Sequence, residues 1–85
     1  MEEIKKGDIV VNYNRKCIGI FDRWNPLYGN CFWQWSLYEN HLLKESNSVT
    51  FSSALPATEE EKEKFKKALL QKGYSYCDGE VILEL

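Results

Sequence analysis

At 85 residues the chain is too short for two ordinary domains. Eleven basic and 13 acidic side chains give a formal net charge of −2, a near balance that does not predict strong general attraction to nucleic acid. Three Trp, four Phe and five Tyr supply the buried area a core this small needs, so part of the aromatic set is committed to folding before any functional use.

Lys5-Lys6-Gly7-Asp8 carries a Gly-Asp turn signal, and the β-branched run Ile9-Val10-Val11 after it predicts a first strand. Alternation puts Ile9, Val11 and Tyr13 on one face. Asn12 to Lys16 is polar and suits a hairpin connection to a second strand through Cys17, Ile18, Gly19, Ile20 and Phe21. A glycine inside a strand predicts a bulge or a sharp bend at Gly19. Asp22 to Asn30 is an irregular tip punctuated by Asn25-Pro26 and Gly29-Asn30, and it carries Trp24 and Tyr28.

The third strand is the clearest, from Cys31 to Tyr38. Alternation assigns Trp33, Trp35 and Leu37 to the core face and Phe32, Gln34, Ser36 and Tyr38 to a half-polar, half-aromatic face. Asn40 to Leu43 continues the strand or begins a turn. Lys44 to Ser48 reads as a polar loop, Val49-Thr50-Phe51-Ser52 as a short fourth strand, and Ala54 to Ala57 as the exit from it.

Thr58-Glu59-Glu60-Glu61 is a capping box that opens a helix over residues 59–72. Acids fill its first turn and Lys66, Lys67 and Lys72 its later turns, in the order the helix dipole favours. Glu60–Lys64 and Glu63–Lys67 have the spacing of i,i+4 pairs. Phe65, Ala68 and Leu69 form the buried stripe, and Gly73 is a natural stop. In the tail, Asp78-Gly79 between Tyr74–Cys77 and Glu80–Leu85 predicts a β-hairpin with Val81, Leu83 and Leu85 on one face.

These elements define a mainly β chain with one α-helix (α+β), a single domain over residues 1–85. Strands occupy 1–53, the helix 58–72 and a C-terminal hairpin 74–85. A small SH3-like barrel elaborated by the helix and hairpin is the first expectation. A curved antiparallel sheet with the helix across it is the alternative.

Lys6-Gly7-Asp8-Ile9-Val10 is similar to the opening of the first strand in many SH3-like barrels. Leu55-Pro56-Ala57-Thr58-Glu59-Glu60-Glu61-Lys62, followed by Ala68-Leu69 and Lys72-Gly73-Tyr74, resembles the end of short uncharacterised proteins of gut Bacteroidetes and their phages and mobile elements. Those carry a Pro-Ala-Thr-x-Glu-Glu-Lys helix ending in Gly-Tyr, with an aromatic and an acid after it, roughly where Tyr76 and Asp78 stand here. The resemblance covers about the last third of the chain. It implies a phage or mobile-element setting and brings no catalytic residue with it.

The chemistry-bearing residues are few. Cys17, Cys31 and Cys77 are an odd number without C-x-x-C spacing, and His41 is the only histidine. That pattern predicts reduced cysteines, no structural metal and a cytoplasmic protein. No long apolar run follows Met1 to Lys6, so neither a signal peptide nor a membrane partner is expected. His41, beside Leu42 and Leu43, reads as a boundary residue rather than a general base. Asp8, Asp22 and Asp78 each adjoin turn residues and read as turn formers. The five glycines are scattered and form no phosphate loop. No enzyme activity and no cofactor are expected.

Two binding roles remain. A protein-interaction module would use Trp24, Tyr28, Phe32 and Tyr38 as aromatic anchors. A single-stranded nucleic-acid binder would combine such rings with Arg15, Lys16 and Arg23, which Lys5 and Lys6 could join. Capture of a small signalling ligand is a third option, and no residue pattern marks it.

Overall fold

The computed structural model describes residues 4–44 and 50–83. The expected loop residues 45–48, the start of the expected fourth strand at Val49, and Leu85 lie outside the described residues. The described residues form seven strands and one helix, in chain order β1 (Ile9–Val11), β2 (Cys17–Trp24), β3 (Cys31–Tyr38), β4 (His41–Lys44), β5 (Leu55–Pro56), α1 (Glu59–Gln71), β6 (Tyr74–Cys77) and β7 (Glu80–Leu83). The first five make a curved antiparallel sheet in the order β4-β3-β2-β1-β5, and β6 and β7 pair separately as a hairpin. The five-stranded sheet is open, with β4 and β5 at its two edges.

Of the expected strand over Val49–Ser52, the described residues 50–52 contribute a single bridge. Phe51 and Cys31 exchange N–H···O bonds of 2.8 and 2.9 Å. The strand that lies alongside β3 is instead β4, after a turn in which Glu39 takes φ 57°. β4 pairs with residues 35–38, so β4 and Phe51 divide one edge of β3 between them.

Two bulges in succession set the shape of the β2–β3 ribbon. Ile20 pairs with Trp35 and Phe21 with Trp33, which leaves Gln34 as the extra residue on β3. Arg23 then pairs with Phe32, which leaves Asp22 as the extra residue on β2. A bulge inserts one residue into a period-two pattern and so exchanges the faces beyond it. This corrects the expected core face. Trp35 and Leu37 pack with Ile9, Val11, Ile18, Ile20, Phe65 and Leu69 on one side of the sheet. Trp33 packs with Val10, Phe21, Cys31 and Ala54 on the other.

Each face has its own cover. α1 lies over the first, where Phe65 and Leu69 are fully buried, joined by the hairpin through Tyr74, Tyr76 and Val81. The Tyr74 ring meets Trp35 edge-on at 5.0 Å. The second face is covered by Ile4 and by the segment around Phe51, whose ring stacks on Trp33 at 4.0 Å. Tyr13, expected to continue the Ile9–Val11 face, lies beyond the end of β1 and is exposed. Leu83 is exposed as well, unlike Val81.

The helix begins as its sequence predicts. The Glu61 N–H donates to the Thr58 hydroxyl (3.1 Å), and the Thr58 N–H donates to the Glu61 carboxylate (2.8 Å). The helix ends at Gln71 with Lys72 as its C-cap and Gly73 at φ 86°. The ion pairs along it differ from the i,i+4 expectation. They join Lys62 to Glu59 (3.4 Å) and Lys66 to Glu63 (3.9 Å), both at i,i+3, the other spacing at which helix side chains meet. At the hairpin tip Asp78 and Gly79 both take positive φ, 50° and 84°, the signature of a type I′ turn.

Candidate interaction surface

The β2–β3 hairpin gathers four of the residues singled out by sequence. The bulge at Asp22 turns the end of β2, so that Arg23 faces Phe32 across the ribbon. The Arg23 guanidinium lies 4.4 Å from the Phe32 ring centroid, a cation–π contact, and pairs with the Asp22 carboxylate. Lys6 approaches the same carboxylate at 3.7 Å. Trp24 follows, opposite Cys31, with its ring tilted against Phe21 at 5.2 Å.

The connection from Asn25 to Asn30 is closed from within. The Asn25 N–H donates to the Asn30 carbonyl (2.7 Å), and the Gly29 N–H to the Asn25 carbonyl (3.1 Å). Gly29 stands at φ 70°, and the Asn25 side chain accepts from the Leu27 N–H (3.1 Å), an Asx turn. With its polar groups turned inward, the loop sends its large side chains out. Leu27 is 81% exposed, Tyr28 77% and Trp24 48%. Leu27 was missing from the sequence-derived set. Its position between Pro26 and Tyr28, inside the same punctuated tip, is the signal that could have found it.

The remaining candidates stand elsewhere. β2 has eight residues and spans about 23 Å at about 3.3 Å per residue. Arg15 and Lys16 precede its start, whereas Arg23 and Trp24 are at its end. Tyr38 pairs with Cys17 and His41, also at the far end from Trp24, and is exposed. The structure therefore brings Arg23, Trp24, Tyr28 and Phe32 together and separates them from Arg15, Lys16 and Tyr38.

Arg15 already has a partner. At φ 59° it sends its side chain to the helix start, where Nε and Nη2 donate to the two Glu61 carboxylate oxygens at 3.0 and 2.5 Å. Nη2 also reaches the Pro56 carbonyl at 3.4 Å. The Arg15 hydrogen bond is the main cause that holds the Glu61 carboxyl below its ordinary range, and the same pair raises Arg15. Burial pushes the Cys31 thiol up.

Cys17 is half-buried, Cys31 buried and Cys77 exposed, and all three are free thiols. Among the described residues no group of three or more His, Cys, Asp or Glu side chains could hold a metal ion, and no helix is long and apolar enough to cross a membrane. No protein-family model, curated protein or solved structure matches the chain.

Proposed function

We propose that this chain is a non-catalytic protein-interaction module that docks through its β2–β3 hairpin. The observation that carries this reading is the exposed group Trp24, Leu27 and Tyr28 on a loop closed by its own hydrogen bonds, beside Arg23 laid over Phe32. Large aromatics and arginine are favoured interface anchors, and a loop already ordered loses less entropy on binding. Tyr38 is a secondary contact at the far end of β3.

Single-stranded nucleic-acid binding is the second reading, with Arg23, Trp24 and Tyr28 as its core. A stacking surface needs cations beside its rings. The engagement of Arg15 with Glu61, and the length of β2 between Lys16 and Arg23, favour the protein partner over it. The SH3-like description is part of the proposal: a meander β1–β4 with the short β5 returning beside β1 supports it. The phage or mobile-element setting rests on the resemblance of residues 55–74 alone.

Two experiments test the reading together. One compares capture of proteins from a bacterial host lysate by the wild-type chain and by a Trp24→Ala, Tyr28→Ala variant. The other titrates isotope-labelled protein with a mixed single-stranded oligonucleotide pool at low salt and follows amide shifts. A protein captured by the wild type and lost with the variant is the expected result. Shifts at Arg23 and Trp24 that fade with added salt would transfer the function to nucleic acid.

A further inference from the structure

A second surface lies between α1 and the β3–β4 turn. There a groove of about 220 Å³ opens among Leu37, Leu42 and Ala68, with Lys64, Lys67 and Lys72 along the helix side and Glu39 opposite. Leu37 is buried, and Leu42 and Ala68 are half-buried and packed on the core, so the apolar floor is fixed. The three lysines are exposed.

The sequence suggests that the helix lysines are neutralised by the glutamates interleaved with them. The observed pairing is narrower. Glu59 takes Lys62 and Glu63 takes Lys66, and among the described residues Lys64, Lys67 and Lys72 form no ion pair. From Lys64 to the C-cap Lys72 the chain has no acid at all. The last turn of the helix carries no basic residue and only Lys72, the C-cap, stands at its C-terminal end, so the helix dipole does not account for Lys64 and Lys67.

We propose that this groove docks a short acidic segment of a protein partner, with one apolar side chain entering between Leu37, Leu42 and Ala68. Flanking Asp or Glu side chains of that segment pair with Lys64, Lys67 and Lys72. Within the groove these three lysines, without an ion pair among the described residues, meet one carboxylate, Glu39, while on their other side Lys64 and Lys67 border Glu60, Glu61 and Glu63; the groove's own lining is net positive and favours an anionic partner. The volume falls below the roughly 300–1,000 Å³ of a small-molecule site and suits a side-chain anchor. Lys64 to Lys72 covers about 12 Å of helix, the reach of about four extended residues. A nucleic-acid strand fits less well: among the described residues no aromatic ring lines the groove for stacking.

The test is an amide-shift titration of labelled protein with a short peptide of alternating leucine and glutamate. Its leucine–lysine counterpart, a single-stranded oligonucleotide and vesicles containing an anionic phospholipid serve as the other arms. The expected result is saturable shifts at Leu37, Leu42, Ala68 and Gln71 with the acidic peptide and none with the basic one. Lys64→Glu combined with Lys67→Glu should weaken that binding about tenfold or more, while Lys5→Glu leaves it as in the wild type. Absence of shifts in the groove, or full binding by the double variant, overturns the proposal. So does an oligonucleotide or vesicle that perturbs the same residues at lower concentration than the peptide. Peptide shifts confined to Trp24 and Tyr28 would reject the groove while leaving the hairpin reading standing.

Discussion

The indole of Trp33 lies where a side chain on Gly19 would have to be. A methyl carbon at position 19 would stand 2.2 Å from Cε3 of Trp33 and 2.2 Å from the Trp35 carbonyl oxygen. The glycine is needed for space, and with it Trp33 is sealed between the β2 backbone and the Phe51 ring. Gly19→Ala should therefore destabilise the fold by about 3 kcal/mol, the upper end of the overpacking range, because a backbone oxygen cannot swing aside. A urea titration checks this. The midpoint should fall with the slope unchanged.

That contact also marks where reading the sequence succeeds and where it stops. Signals confined to a few neighbouring residues were legible: the Thr58–Glu61 capping box, the Gly73 stop and the Asp78-Gly79 turn. The bulge or bend expected at Gly19 is not there: Gly19 pairs in regular register with Val10 and Ser36, and the bulges fall farther along, between Ile20 and Phe21 and between Phe21 and Arg23. Their positions at Gln34 and Asp22 are set by cross-strand register, which no local pattern contains, and so Trp33 went to the wrong face. The surface divides for the same reason. Arg15 meets Glu61, 46 residues away, and Tyr38 and Trp24 stand at opposite ends of one ribbon.

Two tryptophans of one ribbon should behave differently on truncation. Trp33 is 2% exposed, and Trp33→Ala should cost about 3–5 kcal/mol, enough to unfold much of the chain. Trp24 tilts its ring against Phe21 and is half open to solvent. Trp24→Ala should cost about 1–2 kcal/mol, in proportion to the area it buries. Thermal melts of the two variants, followed by circular dichroism, separate the core ring from the docking ring. Equal losses would contradict the assignment of Trp24 to the surface.

Glu61 joins the helix cap to the β1–β2 turn and should give the fold an acid-sensitive element. Thr58→Ala removes one half of the capping box and should cost about 1 kcal/mol. Arg15 holds the Glu61 carboxyl below its ordinary value of 4.5 in the folded state. The unfolded chain therefore binds this proton at higher pH than the folded chain does. The stabilisation is complete above pH 4.5 and is lost as pH falls through the folded value. Melting temperatures recorded from neutral pH down to strong acid should show a decline that is shallower in Glu61→Gln. Because the pair is partly exposed, added salt should also flatten it.

The Tyr76 hydroxyl ties the C-terminal hairpin to the turn before β1. Tyr76 donates to the Gly7 carbonyl at 2.6 Å, and a side-chain carbon on Gly7 would come within 2.9 Å of the Gly79 backbone. Two glycines at φ 95° and 84° thus let the hairpin tip rest on the turn before β1. Tyr76→Phe keeps the ring on the core and removes only the hydroxyl, for an expected loss of about 1 kcal/mol. Burial, with Asp8 and Asp78 adding like charge, raises the Tyr76 phenol above its ordinary value of 10.0. The hydroxyl's contribution is then fully present below pH 10.0 and disappears as pH rises through the folded value, when the donor proton leaves. Amide exchange near neutral pH should report the same contact: in Tyr76→Phe the β6–β7 amides exchange faster, while those of β2 and β3 keep their protection. Uniform acceleration across the sheet would mean that the hairpin and the sheet unfold as one unit.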